Sequence, residues 1–291
     1  MSSNLSKAID EWALIAFTIL MPTSVGMTLV GALTDHSQIL SLATGGVGAL
    51  GLLASIGHLA RPLRAPFSIL NWQHSWLSRE ILVAITHWLF VIGWCLAVYF
   101  KEPILARLFP LCALIIGIVL LHVIAQAYRV HSRPAWNGIE TLIELYAEML
   151  GLGISVGVLV LSLGFKFLPI PGWALVLCVG LGAAMDYWAQ SHRMRRLTQM
   201  PPRENVMATL VRYKEIYAFS RNVVVFDCMA LLFSLGLIFF PKIWMIFLIL
   251  MVAAELIGHF FARFVFYTLP IQTRYAPQIH HSKMRSAERV Q

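Results

Sequence analysis

The chain has 291 residues, 59% of them hydrophobic and only 12% charged, with a formal net charge of +8 and a mean hydropathy of +0.75. A soluble domain carries roughly a quarter charged residues, so this composition excludes an ordinary water-soluble fold. The positive charge is segregated to one side of long apolar segments, which makes it a membrane-topology signal and not the footprint of a nucleic-acid partner.

In sequence order, apolar runs of about the 20 residues that a spanning helix needs fall near 12–33, 39–58, 80–100, 104–126, 145–165, 172–190, 222–240 and 243–263. The first is too long for a signal-peptide core, and its flank mixes Lys7 with Asp10 and Glu11, so it is expected to stay in the mature protein. Lys101-Glu102-Pro103 and Pro241-Lys242 are the whole separations of the third from the fourth and the seventh from the eighth run, and predict tight helical hairpins. An even number of spans returns both termini to one side. The predicted fold is an all-α integral membrane protein, a bundle of eight transmembrane helices in a single polytopic domain, with a basic extramembrane tail over 264–291.

Loop by loop, 18 of the 22 Lys and Arg fall on the face shared by the termini, against Lys101, Arg107, Lys166 and Lys242 on the other. By the positive-inside rule this places the termini in the cytoplasm. Connections on that face are also the long ones, at 59–79, 127–144 and 191–221. Long connections usually carry function, and a basic platform suits a docked soluble partner or anionic lipid headgroups.

The ionisable residues follow the same asymmetry: His58, Glu80, Glu140, Asp186, Asp227 and His259 fall toward the basic face. Intramembrane ionisable groups are costly and mark functional sites by default. The densest group is Gly57-His58-Leu59-Ala60-Arg61-Pro62-Leu63-Arg64-Ala65-Pro66, continued by Asn71-Trp72-Gln73-His74-Ser75-Trp76-Leu77-Ser78-Arg79-Glu80. His58 closes one span and Glu80 opens the next, an acid-base pair at one depth. A quinol loses two protons as it loses two electrons, which a His bonded to its oxygen and a carboxylate that exports the proton can serve. Arg61 and Arg64 supply charge to hold Glu80 ionised or to bind a semiquinone anion. Trp72 and Trp76 read as interfacial anchors.

Here the sequence resembles the membrane-anchor subunits of the DMSO reductase family of bacterial respiratory complexes. The resemblance rests on the His-Leu-x-x-Pro-x-Arg-Ala pattern at His58, Leu59, Pro62, Arg64 and Ala65, then Leu77-Ser78 and Glu80. Glu11-Trp12 with Phe17-Thr18, and Pro134-Ala135-Trp136, fit the same family. It implies a multi-pass protein of the bacterial inner membrane in a three-subunit enzyme, with a molybdopterin catalytic subunit, an iron-sulfur electron-transfer subunit and this anchor. The anchor is expected to bind and oxidise menaquinol and to hold no haem, iron-sulfur cluster or metal of its own. Carried over by position, His58, Arg64 and Glu80 are quinol-site residues; Arg61 joins them on charge alone. Well-known members are described with periplasmic termini, whereas the charge count here argues for cytoplasmic ones, an arrangement that also suits relatives that oxidise sulfite or other sulfur compounds and reduce quinone.

Three further groups need weighing. His87, His122 and His259 are membrane histidines; a bis-His haem needs two at matching depth on touching helices, which His122 and His259 satisfy only if their helices meet, and hydrogen-bonded packing is the plainer expectation. Glu255 and His259 share a helix face at i, i+4, and with Asp186 and Asp227 they form either a proton path or ion pairs with Arg193, Arg221 or Arg263. Glu140, Glu144 and Glu148 make a stripe that suits partner docking or the helix dipole. Cys95, Cys112, Cys178 and Cys228 stand alone in separate spans and read as small buried hydrophobes. A secondary transporter is the rival from another class, but it predicts broken helices and charge at the bilayer midplane, where this reading of the spans finds almost none. A redox-inert tether would leave His58 and Glu80 without a role.

Overall fold

A computed structural model of the protein describes residues 12–34, 37–57, 71–130, 132–163 and 168–269. Among these residues the regular structure is entirely helical, and eight helices are long and apolar enough to cross a membrane. They are α1 (Trp12–Leu33), α2 (Gln38–Gly57), α3 (Trp76–Tyr99), α4 (Pro103–Tyr128), α5 (Glu140–Ser162), α6 (Gly172–Gln199), α7 (Glu204–Phe239) and α8 (Trp244–Thr268).

The connection expected over 191–221 is not a loop. α6 and α7 run through it and leave only residues 200–203 between them, where Pro201-Pro202 end helical hydrogen bonding. The apolar runs mark only the lipid-facing part of these helices, so polar helical extensions beyond the bilayer pass for loop. α3 likewise starts four residues before Glu80, after Ser75 caps it by accepting from the Ser78 N–H at 3.3 Å. Between α3 and α4 the backbone turns over Lys101, which adopts φ 58°, and Pro103 opens α4 where a missing N–H costs nothing.

The helices form two consecutive four-helix groups. α1 packs on α2 and α4, and α3 closes the ring by contacting both; α5, α6, α7 and α8 repeat the pattern. The groups meet chiefly through α1 and α5, which are accordingly the most buried spans: 78% and 72% of their apolar windows are buried, against 28–44% for the other six. Lipid is as apolar as a leucine core, so helix contact in a membrane depends on close backbone approach at small residues. At the α1–α5 crossing, Gly26 faces the backbone of Met149 and Gly153, while Gly157 packs on Met27 and Val30. On the far side of α5, Gly182 of α6 lies against Ala147 and Gly151.

α5 is not uniformly α-helical. Met149–Gly153 forms a π-helical turn between Glu140–Glu148 and Ile154–Ser162. Such turns are rare and concentrate at functional sites. Here Gly151 leaves the space into which the Glu255 carboxylate of α8 fits: a Cβ at this position would lie 2.6 Å from Glu255 Oε2.

The four cysteines are unpaired, with Cys228 exposed and the others half-buried, so they line the lipid-facing side more than the core expected for them. Cys95 Sγ donates to the Ser41 carbonyl at 3.1 Å.

Candidate functional site

His58, Arg61 and Arg64 lie outside the described residues. Glu80, their predicted partner, sits one turn into α3 and is only 4% exposed. It shares a face with Ala84, His87, Val91 and Trp94, the stripe that α3 buries. A carboxylate at such a position needs polar company. Glu80 lies within electrostatic reach of the Tyr128 and Tyr267 hydroxyls, which share a hydrogen bond of 2.6 Å between α4 and α8. Tyr267 Oη also approaches the Leu14 carbonyl at 3.4 Å and Thr18 Oγ1 at 3.5 Å on α1.

Around this pair stands an aromatic cluster made by the segment between α4 and α5 and by the end of α8. Trp136 and Phe266 stack at 5.2 Å, and Tyr128 meets both rings edge-on. Trp136 Nε1 donates to the Phe266 carbonyl at 2.8 Å, which fixes the indole, and the Arg133 guanidinium covers its ring at 4.1 Å. The Pro134-Ala135-Trp136 run thus builds a buried wall at the junction of the two groups. Trp72 and Trp76 are different: they are 50% and 41% exposed, as interfacial anchors should be. Arg79 stacks on Trp76 at 4.4 Å and donates to the Trp72 and Gln73 carbonyls, pinning the turn before α3.

The glutamate stripe of α5 is not an exposed docking surface; Glu140 lies in the first turn, where the helix dipole favours an anion, but the stripe as a whole faces inward. Glu140, Glu144 and Glu148 are 0%, 5% and 0% exposed and point into the second group. Glu140 accepts from His192 Nδ1 at 2.8 Å and Arg196 Nε at 2.9 Å. Glu144 takes a two-pronged bond from Arg193 at 2.6 and 2.7 Å, and Glu148 accepts from Arg263 at 2.6 and 3.1 Å. Arg193 and Arg263, topology charges by the loop count, are therefore interior groups.

Asp186, Asp227, Glu255 and His259 do come together. His259 places Nε2 3.0 Å from Glu255 Oε2 and Nδ1 3.5 Å from Asp186 Oδ2. Asp227 of α7 lies against Gly258, within electrostatic reach of His259 and Glu255. Asp186, Asp227 and Glu255 stand 14, 12 and 11 residues from the helix ends at Gly172, Phe239 and Trp244, or about 16–21 Å at the 1.5 Å rise of a helix, which, counted from those ends, puts them in the basic-side half of a hydrocarbon layer of about 30 Å.

The remaining histidines have structural partners. His87 is fully buried, with Nδ1 donating to the Ala113 carbonyl at 2.9 Å and Nε2 3.4 Å from Ser24 Oγ. His122 is exposed and meets Gln126 at 3.3 Å. His259 has both nitrogens turned to carboxylates, so it and His122 do not present a pair of axial ligands.

A family profile described as DMSO reductase anchor subunit (DmsC) matches residues 5–269. Over 171 residues the sequence is 29% identical to an anaerobic dimethyl sulfoxide reductase subunit of Haemophilus influenzae, covering 54% of this protein and 61% of that one. It is 29% identical over 181 residues to the subunit of the same name in Escherichia coli, with 57% and 62% covered. Against YnfH, another anaerobic dimethyl sulfoxide reductase subunit of Escherichia coli, it is 29% identical over 195 residues, with 59% and 66% covered. The matched region thus spans less than two thirds of the length of these curated relatives.

Proposed function

This protein belongs to the DMSO reductase anchor subunit family, and from that membership we propose that it anchors a three-subunit molybdoenzyme to the bacterial inner membrane and oxidises menaquinol for it. Electrons pass to an iron-sulfur subunit and on to a molybdopterin catalytic subunit that reduces DMSO or a related S- or N-oxide. The observation that carries this reading is the burial of Glu80 beside the Tyr128–Tyr267 hydroxyl pair, toward the basic side of the bundle. A dihydroxy aromatic ring needs acceptors for its protons and a flat apolar wall for its body. Glu80 and the tyrosines supply the first, while the Trp136–Phe266 stack, whose rings cover each other, braces Tyr128 edge-on from behind.

In this mechanism the quinol enters from the lipid near the basic face. His58 accepts a hydrogen bond from one quinol hydroxyl and Glu80 takes the proton released as electrons leave. Arg64, with Arg61 beside it, balances negative charge on the carboxylate and ring oxygen. The protons leave toward the basic face, which the charge asymmetry assigns to the cytoplasm together with both termini. Reduction of substrate on that side consumes as many protons as the quinol releases, so the complex is electroneutral. The same site runs in reverse in a quinone-reducing anchor of a sulfur-compound-oxidising complex.

The test is turnover of the assembled complex carrying His58→Ala or Arg64→Ala. Quinol-dependent turnover is lost while an artificial dye donor still drives the catalytic subunit. Loss of both activities with the complex absent from the membrane points to failed assembly, and retention of both removes these residues from the site. The charge buried within the spans and the π-helical turn of α5 are features that a secondary transporter also predicts; family membership sets that reading second.

A further inference from the structure

The second helix group buries more acid than base. Glu144 and Glu148 of α5, Asp186 of α6, Asp227 of α7 and Glu255 of α8 are each no more than 6% exposed. The basic groups facing them are Arg193 of α6 and Arg263 and His259 of α8. Even with His259 charged, two negative charges remain unmatched among the described residues. An unpaired charge in a low-dielectric interior is expensive enough that the group binds a proton instead. Geometry points the same way. Glu148 Oε1 and Asp186 Oδ2 are buried without a hydrogen-bond partner among the described residues, whereas the Arg-bonded oxygens of Glu144 and Glu148 are fully engaged. His259 is hydrogen-bonded to Glu255 at 3.0 Å and turns its other nitrogen to within 3.5 Å of the unpartnered Asp186 Oδ2, a placement from which an imidazole can hand a proton across.

The cluster also has a way out. Glu148, Glu144 and Glu140 succeed one another at four-residue steps on one face of α5, about 6 Å apart along the axis. Each is neutralised by a cation from α6 or α8. The ladder ends at Glu140 and its partner His192, whose side chain is 43% exposed on the basic face. Carboxylates in this series can take up and hand on protons, while the guanidiniums hold the charge balance.

We propose that Asp186 and Asp227, beside the His259–Glu255 pair, form a proton-holding site inside the second helix group that exchanges protons with water at the basic face through the Glu148, Glu144 and Glu140 ladder. The site is separate from Glu80 and does not depend on the quinol reading. A proton enters from water at the His192 end and comes to rest on a carboxylate oxygen; no electron moves.

The experiment is infrared spectroscopy of the full-length protein in lipid vesicles, read in the carbonyl stretch of protonated carboxyl groups before and after transfer to D2O. The wild-type protein shows such a band, and it shifts to the deuterated position on exchange. Asp186→Asn and Asp227→Asn, isosteric amides that keep packing, each remove part of the band, and Glu140→Gln slows its shift. A spectrum with no protonated-carboxyl band, a band that does not shift in D2O, or one that all three variants leave unchanged overturns the proposal. The wild-type shift needs no substitution, so the proposal stays open to refutation even where a variant fails to fold.

Discussion

Tyr128 and Tyr267, 139 residues apart, share a hydrogen bond of 2.6 Å that ties α4 of the first helix group to α8 of the second. Both hydroxyls sit within electrostatic reach of Glu80, so one contact joins the fold to the proposed quinol site. Tyr267→Phe removes the hydroxyl that also reaches α1, and leaves Tyr128 with an unmet group. We expect a loss of about 1–3 kcal/mol, seen as a lower thermal midpoint of the complex, with quinol-dependent turnover reduced and dye-driven turnover kept.

The α1–α5 crossing is the largest contact between the groups, and it is made of backbone. A methyl at Gly26 runs into the Met149 carbonyl and Gly153 backbone, whereas one at Gly46 meets nothing within 4 Å. Gly26→Ala should therefore cost at least the about 1–3 kcal/mol typical of overpacking and lower the amount of folded protein recovered from membranes. Gly46→Ala should leave recovery unchanged. Equal behaviour of the two variants would mean that the crossing is not held at backbone distance.

Arg263 and Glu148 form a pair with side-chain exposures of 3% and 0%. Removing one partner leaves a bare buried charge, so Arg263→Met alone should destabilise by about 3–5 kcal/mol. Combining it with Glu148→Gln should recover much of that loss. A double-mutant cycle on the thermal midpoint checks this; additive losses would show that the two groups are not coupled.

His87 holds α3 to α4 through the Ala113 carbonyl and touches Ser24 of α1. Its replacement in His87→Phe should cost about 1–3 kcal/mol from unmet polar groups without altering the ratio of quinol-driven to dye-driven turnover. A selective fall in the quinol rate would instead make His87 part of the quinol site.

Much of this architecture is legible in the sequence because lipid imposes a simple rule. Each span must be apolar for about 20 residues, so eight helices, their order and the hairpins at Lys101 and Pro241 can be read directly. Glu80 is legible because an acid at the head of a span is conspicuous. The α5 ladder is not. Glu140, Glu144 and Glu148 share a face in the sequence, but nothing there says that the face turns inward, since their partners Arg196, Arg193 and Arg263 are 56, 49 and 115 residues away. Hydropathy also hides helix: α6 and α7 continue as polar helices beyond their apolar runs, so 191–221 looks like loop. One signal was present. Acidic and basic residues at four-residue steps, Glu255, His259 and Arg263 on one helix, mark a face that must meet complementary charge if it is buried.

The proposed function turns on Glu80 accepting the quinol's proton. The most direct test is DMSO reduction by the purified complex driven by a quinol analogue, wild type beside Glu80→Gln, with a dye donor assayed in parallel. Glu80→Gln is expected to abolish the quinol-driven rate and to leave the dye-driven rate at the wild-type level. Wild-type quinol-driven turnover in the variant would contradict that role and reduce Glu80 to a structural group of the bundle.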